Sequence, residues 1–198
     1  MQIPFDLYSV INYSHAEKDW NTIIELREYM WELLLDYWKT HTLFSFNWWF
    51  LLITTVGFLV VWLWLLDKSR IIEIITFGLL LSTAAFNLDL IGITMVLWSY
   101  PDRLVPIMTT IIEIHKAQMP IIYMLIYQYF KPWKSFIVAL TVASIIFAFV
   151  LEPITVWLDI YNIHNWKYVY SFPIYILLGI IFKWLMIKLK QIEFNYKH

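Results

Sequence analysis

The chain has 198 residues, 61% hydrophobic and 20% aromatic, with 12 Trp, 13 Tyr and 14 Phe and a net charge of −1. With no Cys, it has no disulfide, thiolate metal site or Cys nucleophile, and a near-neutral charge argues against a nucleic-acid partner. Charged residues make up 15% of the chain but fall between long apolar runs, which points to an integral membrane protein.

The first forty residues lack the basic start and short apolar core of a signal peptide. Ser14 followed by Glu17 reads as a capping box. From there to about His41 an amphipathic helix is predicted. Trp20, Ile23, Ile24, Met30, Trp31, Leu34, Tyr37 and Trp38 share one face, and Asn21, Glu25, Glu28, Glu32, Asp36 and Lys39 share the other. The polar face is acidic, so the helix is expected to pack on protein rather than on anionic headgroups.

Five membrane spans follow, at about 44–66, 71–98, 106–130, 133–158 and 168–188. Trp48 to Leu66 holds 19 residues without a charge, and Ser135 to Leu151 holds 17. Pro106 and Pro132 suit first-turn positions, whereas Pro120, Pro153 and Pro173 are internal and predict kinks. The last uncharged run, Val169 to Phe182, extends to Ile187 if Lys183 snorkels. The expected fold is an all-α bundle of five transmembrane helices. It divides into an extracytoplasmic segment, 1–42, a transmembrane domain, 43–190, and a cytoplasmic tail, 191–198.

Five crossings put the termini on opposite sides. One side collects 8 basic and 3 acidic residues, and the other 6 basic and 12 acidic. Lys and Arg near helix ends mark the cytoplasmic side. The expectation is a multi-pass cell-membrane protein with its N-terminus outside and its C-terminus in the cytoplasm.

Nearly all polar residues of the spans then fall near the outer face. Asn87 and Asp89 end the second span, Glu113, His115 and Lys116 lie in the third, and Glu152 lies near the end of the fourth. Asp159 and His164 follow in the next loop. An intramembrane ionisable group is a functional candidate, set against the simpler reading that these residues pair and close the bundle. Glu113 and Lys116, three apart, suit such a pair. Glu152, just before Pro153, is the strongest candidate, with Lys116, His115 and Asn87 as expected partners. Glu73 with Arg70 reads as a surface pair at the inner interface, and Tyr123, Tyr127 and Gln128 read as packing. Trp98-Ser99-Tyr100 and Trp166-Lys167-Tyr168 repeat one pattern, each after an acid, which is read as an interfacial aromatic belt or a weak internal duplication. The five His show no metal-ligand spacing, and no metal or cofactor is expected.

Several stretches resemble a family of small five-helix membrane proteins of spore-forming Gram-positive bacteria. They are Asp67-Lys68-Ser69-Arg70, Leu97-Trp98-Ser99-Tyr100-Pro101, Met119 to Phe130, Phe149 to Pro153, Trp166 to Tyr168 and Tyr170 to Tyr175. That resemblance implies the membrane architecture and carries over no catalytic residue. The acids near Pro and the two W-x-Y motifs are also faintly similar to lycopene-cyclase-type membrane domains, whose P-x-E-E element has no counterpart here. The leading functional reading is a non-catalytic binding, sensing or assembly protein with a polar pocket at the outer face. Its partners would be the lipid bilayer and an extracytoplasmic protein or an apolar lipid ligand. The alternative is an isomerase or cyclase acting on a polyene or isoprenoid lipid, with Glu152 or Asp89 as general acid. A proton or ion path is the weakest reading, because the inner half lacks ionisable residues to continue it.

Overall fold

The structure is a computed structural model that describes residues 16–107 and 109–197. Ser14, the expected cap of the first helix, lies outside the described residues. The chain divides into two units, 1–43 and 44–198. The first holds α1 (Ala16–Tyr37), which runs into a π turn at Trp38–Thr42.

Among its described residues the second unit is mainly helical, with one short pair of strands. Its helices are α2 (Phe46–Leu65), α3 (Ile71–Thr94), α4 (Met119–Tyr129), α5 (Trp133–Ile146), α6 (Glu152–Trp157) and α7 (Tyr168–Lys197). Among the described residues, four helices are long and apolar enough to cross a membrane: Phe46–Leu65, Lys68–Thr94, Trp133–Trp157 and Tyr168–Tyr196.

Ser45 caps α2 by accepting the Trp48 amide at 3.2 Å. Asp67 holds the turn into α3 by accepting the Ser69 amide and hydroxyl. α4 packs on α3, and α7 packs on both α3 and α5. The core between them contains Phe77, Leu81, Tyr123, Phe136, Leu140 and Leu178. Phe77 stacks on Tyr127, with ring centroids 4.3 Å apart.

Three boundaries differ from those the sequence suggested. α3 stops at Thr94 rather than 98, because the chain turns through a left-handed residue, Val96, at φ 54°. The Val96 amide donates to the Ile93 carbonyl and the Leu97 amide to that of Gly92, the two bonds of a Schellman motif. The third span, expected from 106, becomes helical in the π turn Glu113–Gln118 and continues as α4. Ahead of it the chain is folded back on its own polar groups: the Glu113 carboxylate accepts the Leu104 amide at 2.8 Å, and Arg103 donates to the Thr109 carbonyl. α7 runs past 188 to Lys197.

The internal prolines explain two further features. Pro120 and Pro153 each follow a π turn, Glu113–Gln118 and Phe147–Leu151. The residue before each proline, Met119 or Glu152, donates its amide five residues back, to Ile114 or Phe147. A proline ring lacks an N–H and collides with the carbonyl four residues earlier, and widening the preceding turn accommodates it.

At the end of the unit bearing the 66–70 and 130–132 connections, Glu73 ties three helices together. It receives Arg70 at 2.9 Å, the Tyr127 hydroxyl at 2.6 Å and Lys190 at 3.0 Å. The Arg70–Glu73 pair is thus part of an interhelical clamp. Lys183 is 3% exposed and donates to the carbonyls of Phe130 and Lys131 at the end of α4, where a cation suits the helix dipole.

Candidate functional site

At the opposite end, the chain leaving α3 and the chain leaving α6 meet. Trp98–Ser99 pairs antiparallel with Asn162–Ile163, with Trp98 opposite Ile163 and Ser99 opposite Asn162. The amides of His164 and Asn165 both donate to the Leu97 carbonyl. The Ser99 hydroxyl lies 2.8 Å from His164 Nε2.

The two arms share one local design. α6 also ends in a Schellman motif, with Asp159 at φ 57°, its amide on the Val156 carbonyl and the Ile160 amide on that of Thr155. Val96 stands seven residues after Asp89, and Asp159 seven after Glu152. The paired Ser99 and Asn162 each stand ten residues after those acids. These spacings do not align the two W-x-Y motifs, since Trp98 follows Asp89 by nine residues and Trp166 follows Glu152 by fourteen.

Both acids line one cavity of about 110 Å³ between α3, the Glu113–Gln118 turn, α6 and α7. Asp89, 3% exposed, accepts at Oδ1 from Trp98 Nε1 at 2.8 Å and from the Tyr100 hydroxyl at 2.7 Å. Glu152 accepts the Tyr175 hydroxyl at 2.6 Å on Oε1 and the Ser171 hydroxyl at 3.2 Å on Oε2. Ser171 in turn receives Trp166 Nε1 at 2.9 Å. Ser171 and Tyr175 are four apart on α7, so one helix face delivers both hydroxyls. The sequence analysis looked to the second and third spans for the partners of Glu152; these two stand on the last helix.

Gly92 makes the Asp89 arrangement fit. A Cβ there would run into the Trp98 ring, so only a bare backbone lets that indole fold onto α3 and reach Asp89. Trp98 packs edge-to-face on Trp166 at 5.0 Å, and Tyr100 stacks on Tyr161 at 5.3 Å. Burial, followed by the nearby Asp89 carboxylate, raises the Tyr100 phenol well above its ordinary range, and burial likewise raises Tyr161.

A second cavity of about 240 Å³ adjoins the first and shares Ile114, Met119, Glu152, Thr155 and Tyr175 with it. Its own walls are mainly apolar, from Phe50, Phe58, Ile122, Phe147 and Leu151. Its polar edge is Gln118, which donates to the hydroxyls of Thr54 and Thr55, both at 3.1 Å. The π turns therefore carry Met119 and Glu152 to the junction of the two spaces.

The other sequence candidates are placed differently. Asn87, Lys116, Asp159 and His164 are exposed and are not among the lining residues. Lys116 lies over the Phe86 ring at 4.6 Å, and Glu113 is buried against Leu104 rather than in the cavity. Of His115 only the backbone is described. Sequence reasoning missed Tyr161, Ser171 and Tyr175 as part of the site and favoured an interfacial belt for Trp98, Tyr100 and Trp166. Among the described residues, no group of three or more His, Cys, Asp or Glu is placed to hold a metal ion. No family model, curated protein or solved structure matches the chain.

Proposed function

We propose that this is a membrane-embedded binding protein, non-catalytic, whose ligand places a polar group at Asp89 and Glu152 and an apolar portion in the adjoining space. One observation carries the reading: two carboxylates from different helices line a single, largely apolar cavity that shares wall residues with a larger apolar one. Apolar pockets with a few convergent polar groups are the usual form of a small-molecule site. In the proposed topology the helix from Glu113 to Tyr129 supplies a fifth crossing and the basic ends face the cytoplasm. The site then opens toward the outer leaflet of the cell membrane. In that topology α1 is extracytoplasmic, and Trp20, Met30 and Trp31 of its apolar face are exposed.

The alternative is a cyclase or isomerase on a polyene, in keeping with the lycopene-cyclase resemblance. It needs a carboxylic acid aimed at an alkene. Trp98 Nε1 can only donate, so the Asp89 oxygen it meets is used as an acceptor, and Glu152 accepts from two hydroxyls. In this reading Asp89 or Glu152 supplies the proton.

The test is mass spectrometry of extracts from the purified protein and from Glu152→Gln. A molecule enriched with the wild type and depleted with the variant is the expected result. Extracts that match each other, and match those of an unrelated membrane protein, would overturn the proposal.

A further inference from the structure

We infer that the cavity at Asp89 and Glu152 recognises a quaternary ammonium group. The inference rests on the binding-protein reading above and adds the chemical class of the ligand. Among the described residues that line the cavity, the charged ones are Asp89 and Glu152, both acidic, so an anionic group meets like charge there. Beside the hydroxyls of Thr155 and Ser171, aromatic side chains supply much of the wall: Trp98, Tyr100, Tyr161, Trp166 and Tyr175 all line it. The Trp98 and Trp166 rings, both on the wall, pack edge-to-face with centroids 5.0 Å apart. Aromatic faces attract cations through their quadrupole, and boxes of such rings are the common receptor for quaternary ammonium.

Asp89 Oδ1 accepts two donors, and Glu152 accepts a hydroxyl on each oxygen, so each carboxylate is held by donors of its own. A quaternary ammonium brings charge without N–H and asks for no further hydrogen bond from them. A trimethylammonium head comes either from a lipid or from a free solute.

Choline and its neutral carbon isostere, 3,3-dimethyl-1-butanol, separate charge from shape. The full chain in maltoside micelles, which contain no ammonium, is titrated with each while thermal unfolding is followed. Choline is expected to raise Tm saturably, as any ligand specific for the folded state does, while the alcohol at equal concentration leaves it unchanged. Asp89→Asn and Glu152→Gln should each weaken choline at least tenfold, the unliganded Tm reporting whether each variant is folded. Trp166→Phe keeps both charges and should weaken choline less. Nanodiscs assign the source. A higher Tm in phosphatidylcholine than in phosphatidylglycerol, with no further effect of choline, supports a lipid headgroup. A choline effect of equal size in both supports a free solute. No choline effect in any medium, or equal effects of choline and the alcohol, overturns the ammonium inference. The enriched extract described above would still stand as evidence for a binding protein.

Discussion

Ser99 and Asn162 face each other across the short antiparallel pair, and each follows a cavity-lining carboxylate by ten residues. The same spacing, the same helix ending and the same return into a strand occur twice. Two arms leaving α3 and α6 thereby place Asp89 and Glu152 on the wall of one cavity. The arms meet beside the edge-to-face pair of Trp98 and Trp166.

Gly92→Ala tests how the Asp89 side is built. The added methyl group collides with the Trp98 ring, and the indole must move off α3. Overpacking of this kind costs about 1–3 kcal/mol, seen as a lower Tm in detergent. Gly57→Ala is the control, since nothing lies within 4 Å of a Cβ at that position. Equal Tm values for the two variants would show that Trp98 does not depend on Gly92.

Alkaline pH should destabilise the protein through Tyr100. Its folded pKa lies above the unfolded value, so the stability it contributes is complete below about pH 10 and falls as pH rises further. Tyr100→Phe removes this titration. The variant is expected to be less stable at pH 8, from the lost bond to Asp89, yet to lose less stability than the wild type between pH 9 and 11. Parallel Tm–pH curves would show that Tyr100 does not set the alkaline limit.

The helical, membrane-type character was legible because it rests on apolar runs, and such a signal survives without tertiary detail. Asp89 and Glu152 were legible for a related reason: charge is rare inside a span, so each one stands out. Their partners were not. Ser171 and Tyr175 are ordinary residues on an apolar helix, and only the packing of α7 on its neighbours brings them to Glu152. Trp98 and Tyr100 were assigned to a belt because their composition suits one; the turn at Val96 sends them inward. That turn was hidden by the residue itself, since a β-branched side chain is a poor marker of left-handed backbone. The late start at Glu113 was hidden too, because Arg103 and Glu113 act over a distance that periodicity does not register.

The orientation has a direct test in a chain that contains no Cys. Ser69 lies in the turn before α3, at the end where Glu73 gathers Arg70 and Lys190. In the proposed topology this end is cytoplasmic. Ser69→Cys should resist an impermeant maleimide in intact cells and react once they are opened. Labelling of intact cells would invert the topology and turn the cavity toward the cytoplasm.

Val96 supplies the sharpest stability test. It occupies the left-handed position of the α3 ending at φ 54°, where a β-branched residue is strained, and its side chain is 61% exposed. Little packing is therefore lost on replacement. Left-handed backbone costs an ordinary L-residue about 1–2 kcal/mol, and Asn tolerates it far better. Val96→Asn is expected to raise stability by about 1 kcal/mol. Asp159 fills the equivalent position after α6 at φ 57° and is already a tolerant type, so Asp159→Asn should be close to neutral. The contrast isolates backbone strain from the shared geometry, because both variants place the same side chain at matching sites. A gain at both positions, or at neither, would show that Val96 carries no particular strain.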